Sequence, residues 1–208
     1  MIDDRELLVD GADSSDRTVV LAHGAGAPMD SPFMTEFARG LAAHGPRVVR
    51  FEFDYMKRRR TTGKGGRPDP RPALEQRWSA VIEQLGDPAR LVIGGKSMGG
   101  RIASMVADRA GVAGLICLGY PFHPPGRPEK LRTAHLLELV TPALILHGTR
   151  DPFGKPEEID AYGLPPSIRV QYVEDGDHSF KPRVRSGRTL EQNLEEAVAT
   201  AAGFVAGL

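Results

Sequence analysis

The sequence predicts an α/β protein, a doubly wound, mostly parallel sheet of about six to seven strands with helices on both faces. Two observations support this fold class. Short apolar segments rich in β-forming residues alternate along the chain with segments of helical character, and this alternation is typical of parallel strands joined by crossover helices. The strand segments are also almost continuously apolar, as expected of strands covered on both faces of a sheet.

The predicted elements follow one another without an internal repeat or a low-complexity linker. Strands are predicted at residues 18–22, 47–53, 90–93, 113–118, 143–146 and 168–173, with a further short strand at 5–9. Helices are predicted at residues 32–44, 72–85, 98–108, 128–134, 155–162 and 189–206. Because the intervening segments are short, we expect residues 1–208 to form a single domain without an inserted cap or lid.

Composition argues against several classes of protein. The 208 residues contain 27 basic and 27 acidic side chains, so no net charge attracts nucleic acid or a membrane surface. No apolar run is long enough to span a membrane, and residues 1–6 are acidic where a signal peptide is basic. The single cysteine, Cys117, lies in an apolar run and is expected in the core. We therefore expect a soluble cytoplasmic protein, a monomer or homodimer, that binds neither nucleic acid nor membranes.

The segment Gly95-Lys96-Ser97-Met98-Gly99 matches the pattern G-x-S-x-G between a predicted strand and a predicted helix. A serine at the tip of so sharp a turn has a strained backbone, and side chains two residues before and after it would collide with their surroundings. Glycine at both places lets the hydroxyl stand clear of the sheet. Ser97 is therefore the candidate nucleophile. The alternative is a glycine-rich turn between strand and helix with no catalytic role.

An activated serine needs a base, and four histidines follow Ser97 in the chain. His178 lies in a loop directly after the last predicted strand, where its ring could reach the serine, and it is the preferred base. His123 is expected on a loop that could line a pocket, and His135 near the end of a weak helix at the surface. His147 ends a strand and is expected to pack or hydrogen-bond beneath the loop that carries the acid.

The base in turn needs a carboxylate that accepts a hydrogen bond from its Nδ1. Asp151 follows the penultimate strand, at the edge of the sheet where it would reach His178, and it is the preferred acid. Asp175 and Asp177 compete with it but are expected to bond the backbone of their own turn. Asp54 comes too early for the chain order serine, acid, histidine.

An oxyanion hole needs two N–H groups close to the serine. The loop His23-Gly24-Ala25-Gly26 follows the strand predicted at 18–22, and its glycines allow the backbone to approach a substrate carbonyl closely. We assign the N–H groups of Ala25 and Met98 to this role. The alternative is a glycine-rich turn into the next helix. No metal ion and no cofactor is predicted for a site of this kind.

Four motifs in chain order resemble those of the α/β-hydrolase superfamily, namely His23-Gly24-Ala25-Gly26, residues 95–101, Gly148-Thr149-Arg150-Asp151 and Gly176-Asp177-His178. The sequence looks most similar to small, lid-less members of the dienelactone-hydrolase type, although dienelactone hydrolases proper use a cysteine where this chain has Ser97. Residues 51–56 and 177–182 resemble, more narrowly, a family of largely unassigned function that includes testis-expressed proteins. The resemblance implies an α/β-hydrolase fold without a cap domain, and it leaves the substrate open.

These residues together predict a serine hydrolase that cleaves an ester or thioester of a small-molecule acyl substrate through an acyl-enzyme. A peptidase would use the same three residues. A protein that retains the hydrolase fold only for binding or scaffolding would not use them at all. The absence of an evident lid favours small or soluble acyl groups over long lipid chains.

One segment departs from the alternation of strands and helices. Residues 57–72 carry seven basic side chains, one acidic side chain, three glycines and three prolines, so we expect no regular structure through most of this segment. It emerges at the carboxyl edge of the sheet, as does a second basic cluster, Lys181, Arg183, Arg185 and Arg188. Together they predict a positive mouth that favours substrates with a carboxylate or phosphate. The alternatives are a solvated mobile loop and, disfavoured because the segment has no aromatic residue, an RNA-binding loop.

Overall fold

The computed structural model describes residues 6–63 and 66–208, and it confirms the predicted fold class. The strands are β1 (Leu7–Asp10), β2 (Thr18–Ala22), β3 (Arg47–Phe51), β4 (Leu91–Lys96), β5 (Gly114–Leu118), β6 (Ala143–Gly148) and β7 (Ile168–Val173). Within the described residues they form one seven-stranded sheet in the order β1-β3-β2-β4-β5-β6-β7. β1 runs antiparallel to β3, and every other neighbouring pair is parallel.

Helices cover both faces of this sheet. They are α1 (Pro32–Ala42), α2 (Asp54–Thr62), α3 (Arg71–Leu85), α4 (Met98–Ala110), α5 (Pro156–Asp160) and α6 (Leu190–Ala206). One core joins the sheet to α2, α3, α4 and α5 and includes the fully buried Phe51, Trp78 and Cys117. The other core joins the sheet to α1 and α6 and includes Phe37 and Val198. No cap domain is present in the part of the chain that the structure describes.

Strand ends differ from the predicted ones by up to three residues. The strand predicted at 90–93 continues to Lys96, because Gly94 and Gly95 let neighbouring backbone approach so closely that a side chain would not fit. The strand predicted at 47–53 ends at Phe51, and α2 begins soon afterwards. The strand predicted at 5–9 is observed as β1, and Arg5 lies outside the described residues.

The prediction that residues 57–72 lack regular structure through most of their length is wrong at both ends. Helix α2 continues to Thr62, and Gly63 ends it in the left-handed conformation with φ 64°. Lysine and arginine are good helix formers, and the first glycine of the segment is Gly63, so nothing breaks the helix earlier. The segment also includes the first two residues of α3, and Lys64 and Gly65 lie outside the described residues.

The weak helix predicted at 128–134 is wrong as well. A short 3₁₀ helix occurs further along, at Ala134–Glu138. Within the predicted helix, the N–H of Arg132 donates to the carbonyl of Phe122 over 2.8 Å. This long-range backbone hydrogen bond replaces the bond that an α-helix would have made, and the segment follows the loop after β5 instead.

The parallel strands bring four loops to the same edge of the sheet. The loop after β2 begins at His23, Ser97 follows β4, Asp151 follows β6 by three residues, and His178 lies in the loop after β7. Loops at the carboxyl ends of parallel strands are where open α/β sheets bind ligands. Each sequence-predicted site residue therefore lies at this edge.

Candidate active site

Ser97 forms the turn between β4 and α4. Its backbone has φ 51° and ψ −112°, a conformation that costs free energy in any residue with a side chain. Its N–H donates to the carbonyl of Leu118 over 2.9 Å, and its carbonyl accepts from the N–H of Arg101 over 3.0 Å. These bonds to β5 and α4 hold the strained turn. The side chain of Ser97 does not cap the helix, so the turn itself does not use its hydroxyl.

The predicted steric role of the two motif glycines is confirmed. Gly95 has φ 149°, and a Cβ atom on it would lie 2.1 Å from the carbonyl oxygen of Ala22. A Cβ atom on Gly99 would lie 2.5 Å from the same oxygen and 2.7 Å from the carbonyl oxygen of His23. The turn therefore packs its backbone directly onto the end of β2, which brings Ser97 close to the loop that follows β2.

Asp151 and His178 are joined by a short hydrogen bond. The Nδ1 of His178 donates to Oδ2 of Asp151 over 2.7 Å. Asp151 is fully buried, and its Oδ1 accepts from the N–H of Phe153 over 2.9 Å. The ring of Phe153 lies against the ring of His178, with their centroids 4.3 Å apart. The ring orientation of His178 is thus fixed from two sides, and its Nε2 is the nitrogen left for proton transfer.

The charge on Asp151 is stabilised by its neighbours. Burial by itself raises the pKa of Asp151, but hydrogen bonding, chiefly from His178, outweighs it and leaves the pKa below its usual value. His147 donates from Nε2 to the carbonyl of Gly154 over 2.9 Å and lies 3.8 Å from Oδ2 of Asp151. Burial lowers the pKa of His147, which favours its neutral form. The prediction that His147 packs beneath the acid loop is confirmed.

His23 supports the loop after β2 from inside the core. Its ring is fully buried. The Nε2 of His23 accepts from the N–H of Phe53 over 3.2 Å, so Nδ1 carries the proton and donates to the carbonyl of Gly24 over 2.7 Å. Burial lowers the pKa of His23, consistent with the neutral ring that this pair of bonds requires.

Tyr55 holds the same loop from α2. Its hydroxyl lies 3.2 Å from the carbonyl oxygen of Gly24 and 3.1 Å from that of Ala25, and it donates to this pair. In a trans peptide the N–H points opposite to the carbonyl of the preceding residue. The N–H of Ala25 therefore points away from Tyr55, and Ala25 itself lines the cavity described below.

Lys96 lies beneath the loop of His178. Only 9% of the residue is exposed, its ammonium donates to the carbonyl of His178, and it lies 5.5 Å from the centroid of the Phe33 ring. No carboxylate of the described residues forms an ion pair with Lys96. Burial lowers its pKa to about 8, and the charges of Asp151 and Asp177 oppose that shift. Sequence analysis missed this residue because a lysine in the motif gives no signal that it will be buried.

A cavity of about 360 Å³ opens in front of these groups. It is lined by Gly24, Ala25, Gly26, Ala27, Ser31, Phe33, Met34, Lys96, Ser97, Phe153, His178 and Ser179. Ser97 and His178 both line this cavity. Within the part of the chain that the structure describes, no hydrogen bond joins their side chains. Met98 is not among the lining residues. The volume lies at the small end of the range for ligand sites.

The remaining histidines lie outside this cavity. His123 is buried and contacts the carbonyl of Pro124 at 2.9 Å and a carboxylate oxygen of Glu158 at 3.3 Å. His135, expected at the surface, is half-buried. Its Nε2 lies 2.8 Å from the hydroxyl of Ser104, and burial lowers its pKa to about 4.

The competing carboxylates also have other partners. Oδ1 of Asp177 accepts from the N–H groups of Ser179 and Lys181 at 2.8 and 3.0 Å. Asp175 accepts from the N–H of Arg183 at 2.6 Å and also pairs with its guanidinium. The prediction that the carboxylates bond the backbone of their own turn is confirmed for Asp177, whereas Asp175 bonds the backbone eight residues further on. Asp54 is exposed and begins α2.

Most of the cations in the first basic segment are neutralised by carboxylates. Lys57 pairs with Glu6, Arg58 with Asp69, Arg60 with both Glu52 and Asp30, and Arg71 with Glu75. In the second cluster, Arg183 pairs with Asp175 and Arg188 with Glu196. The positive mouth predicted from both clusters is therefore much reduced.

The described residues contain no group of three or more histidine, cysteine, aspartate or glutamate side chains placed to hold a metal ion. Among the helices of these residues, none combines the length and the apolar character needed to cross a membrane.

Residues 15–206 match the family described as "Alpha/beta hydrolase domain". The match covers most of the chain, and the protein belongs to this α/β-hydrolase family. The family assignment agrees with a sheet in which Ser97, Asp151 and His178 follow strands β4, β6 and β7 in that order.

Solved structures share the fold at low sequence identity. An α/β serine hydrolase homologue from Coxiella burnetii is 20% identical with a TM-score of 0.70, over 97% of this chain and 90% of that one. An α/β serine hydrolase without a lid from Xanthomonas campestris is 21% identical with a TM-score of 0.67, over 92% of this chain and 85% of that one. A dienelactone hydrolase from Anabaena variabilis is 20% identical with a TM-score of 0.68, over 93% of this chain and 87% of that one.

Proposed function

We propose that this protein is a serine hydrolase that cleaves small esters or thioesters through an acyl-enzyme. One observation carries the proposal: His178, held by Asp151 at 2.7 Å, lines the same cavity as the strained Ser97. A nucleophile, a base and an orienting acid in this relation are the components of acyl transfer. The small volume of the cavity favours a small acyl group or a small leaving group.

In the first half of the reaction, Nε2 of His178 takes the proton of the Ser97 hydroxyl as Oγ bonds to the substrate carbonyl carbon. The electron pair of the carbonyl bond moves onto oxygen. When the tetrahedral intermediate collapses, the bond to the leaving group breaks, and that group takes the proton from His178.

In the second half, water replaces the leaving group. His178 takes a proton from water as the water oxygen bonds to the acyl carbon, and the bond to Oγ then breaks while Ser97 regains its proton. The carboxylate of Asp151 stabilises the imidazolium of His178 in both halves. Since its pKa lies below the usual value, Asp151 is ionised at neutral pH.

We assign the oxyanion hole to the N–H groups of Ala25 and Met98. The hydrogen bonds from Tyr55 to the carbonyls of Gly24 and Ala25 support the first assignment, because they turn the N–H of Ala25 away from α2. The second rests on the position of Met98 directly after the serine, at the first residue of α4.

Labelling with a fluorophosphonate tests the proposal. We expect the reagent to label wild type but not Ser97→Ala. The matched control is Ser179→Ala, because Ser179 lines the same cavity, and this variant is expected to be labelled. Asp151→Asn is expected to lower kcat for esters by about 10³-fold or more. Labelling that persists in Ser97→Ala would overturn the assignment. Peptide amides with the same acyl group, turned over as fast as the esters, would identify a peptidase instead.

A further inference from the structure

Arg59 differs from its neighbours on α2. Lys57, Arg58 and Arg60 each pair with a carboxylate. Arg59 has no ion pair with any carboxylate of the described residues, and its guanidinium donates to the carbonyl of Gly26 over 3.1 Å. Among the residues that the structure describes, no carboxylate therefore neutralises the positive charge of Arg59.

The position of Arg59 connects that charge to the cavity. Tyr55 and Arg59 are one helical turn apart, so they lie on the same face of α2. Together they contact three consecutive carbonyls, those of Gly24, Ala25 and Gly26. Gly24, Ala25 and Gly26 all line the cavity beside Ser97, whereas Arg59 is exposed and is not itself a lining residue. Its guanidinium lies against the loop that forms one wall of the cavity, through the bond to Gly26, and this place beside the wall is called the rim below.

The chemistry of this rim complements an anion. The bond to Gly26 uses one N–H of a planar group that carries several, and the others can bind a carboxylate or phosphate in a forked arrangement. Much of the cavity wall is apolar, including Ala27, Phe33, Met34 and Phe153. A matching ligand has a short apolar part inside and a negative group at the opening.

We propose that Arg59 determines specificity for ester or thioester substrates that carry a carboxylate or phosphate group. The inference rests on the proposed function and names the substrate class for the same site. The anion contributes to binding and orientation at the rim, while the acyl carbon is held at Ser97. Arg59 acts on the substrate's remote group and takes no part in the proton transfers.

Two pairs of esters locate the anion on either side of the scissile bond. The 4-nitrophenyl monoester of glutarate, compared with its methyl ester, places a carboxylate on the acyl side. 4-Acetoxybenzoate, compared with its methyl ester, places one on the leaving group. The members of each pair differ in charge and by one methyl group, and release of the phenol is followed so that only cleavage of the aryl ester is counted. The ratio of kcat/KM within a pair, compared between wild type and variants, therefore measures recognition of the anion.

We expect wild type to prefer the anionic member of at least one pair by about three- to tenfold at low salt, as for a partly exposed charge pair. Arg59→Gln is expected to abolish the preference, and Arg59→Lys to keep part of it. Arg58→Gln is the matched control, because Arg58 is the preceding residue on α2 and pairs with Asp69. High salt is expected to reduce the wild-type preference.

Three results would overturn the proposal. One is equal kcat/KM for both members of both pairs in a wild type that fluorophosphonate labels at Ser97. Another is a loss in Arg59→Gln that is the same for neutral and anionic esters, which would mean that Arg59 only positions the loop. A third is an equal loss of preference in Arg58→Gln. Failure of wild type to be labelled or to hydrolyse any of the four esters would instead overturn the proposed hydrolase activity.

Discussion

Tyr55 holds the loop after β2, which supplies one of the two N–H groups assigned to the oxyanion hole. Its hydroxyl contacts two carbonyls of that loop and is not one of the groups proposed to exchange protons, which are Ser97 and His178. Tyr55→Phe is expected to lower kcat for small esters by about tenfold with little change in KM, because losing one hydrogen-bond donor frees the N–H of Ala25 to turn.

The control for Tyr55 is Tyr172→Phe, which removes a hydroxyl bonded to Asp160 at 2.7 Å and remote from the cavity. It should leave kcat unchanged. Denaturant unfolding of both variants checks that the fold persists. A Tyr55→Phe enzyme with wild-type kcat would contradict the positioning role.

Burial of Lys96 makes the free energy of unfolding rise with pH in the alkaline range. Its pKa is about 8 in the folded protein because burial disfavours the charge, and about 10.4 in an unfolded chain. Between these values the unfolded state binds more protons, so stability rises with pH. We expect the free energy of unfolding of wild type, relative to Lys96→Met, to rise by about 2–3 kcal/mol from pH 8 to about pH 10.

Urea unfolding at a series of pH values measures this difference. The exposed Lys130 provides the control, since Lys130→Met removes a lysine from the surface. The curve for wild type minus Lys130→Met should show no comparable rise. A wild-type minus Lys96→Met difference that is flat or falls across this range would show that Lys96 is not buried as a poorly solvated ammonium.

At the scale of elements, the turn between β4 and α4 depends on the absence of side chains. A Cβ atom at Gly99 would meet backbone oxygens at 2.5 and 2.7 Å, which cannot relax without moving β2. We expect Gly99→Ala to lower the free energy of unfolding by about 3 kcal/mol and to reduce labelling of Ser97.

Gly203 provides the opposite case in α6. A Cβ atom there meets nothing within 4 Å, so Gly203→Ala is expected to raise the free energy of unfolding by about 0.5–1 kcal/mol through helix propensity. Denaturant unfolding of both variants checks the pair. Equal effects of the two substitutions would contradict the steric account of the turn.

Helix α2 shows why the prediction of irregular structure at residues 57–72 was wrong for the first part of that segment. The glycines and prolines that predict irregular structure begin only at Gly63, so they do not bear on residues 57–62. The cations of α2 are also stabilised by carboxylates on other elements, such as the almost fully buried Glu52 against Arg60. Other partners are distant in sequence, such as Glu6 for Lys57 and Asp30 for Arg60, and the fold brings them into contact. The sequence of α2 alone therefore does not show that its cations are compensated.

The two cores make the whole molecule one packing unit, because both lie against the same seven strands of the described chain. We propose that it unfolds cooperatively. Trp78, the only tryptophan in the sequence, belongs to α3 and is buried in one core, with its ring centroid 4.7 Å from that of Phe51. Its fluorescence reports one core, whereas far-UV circular dichroism reports helices on both faces.

The expected outcome is coincident urea transitions by the two probes. If α1 and α6 lost their structure before the fluorescence of Trp78 changed, the circular dichroism transition would precede the other. Separate midpoints would contradict a single cooperative unit.

The sequence by itself determined the alternation of strands and helices and the order Ser97, Asp151, His178 at the ends of strands. These are local patterns, since a G-x-S-x-G turn or an apolar strand is recognisable in a few neighbouring residues. Their catalytic roles remain predictions that labelling of Ser97 tests.

Only the tertiary structure decided which charges are neutralised and which groups hold the site in shape. Four such features depend on distances between remote segments: the hydrogen bond between Asp151 and His178, the burial of Lys96, the hydrogen bonds of Tyr55 to the loop after β2, and the lack of an ion pair between Arg59 and any carboxylate of the described residues. Coulomb energy and desolvation vary with those distances and with burial. Two arginines that are adjacent in the sequence, Arg58 and Arg59, therefore differ in what they can bind.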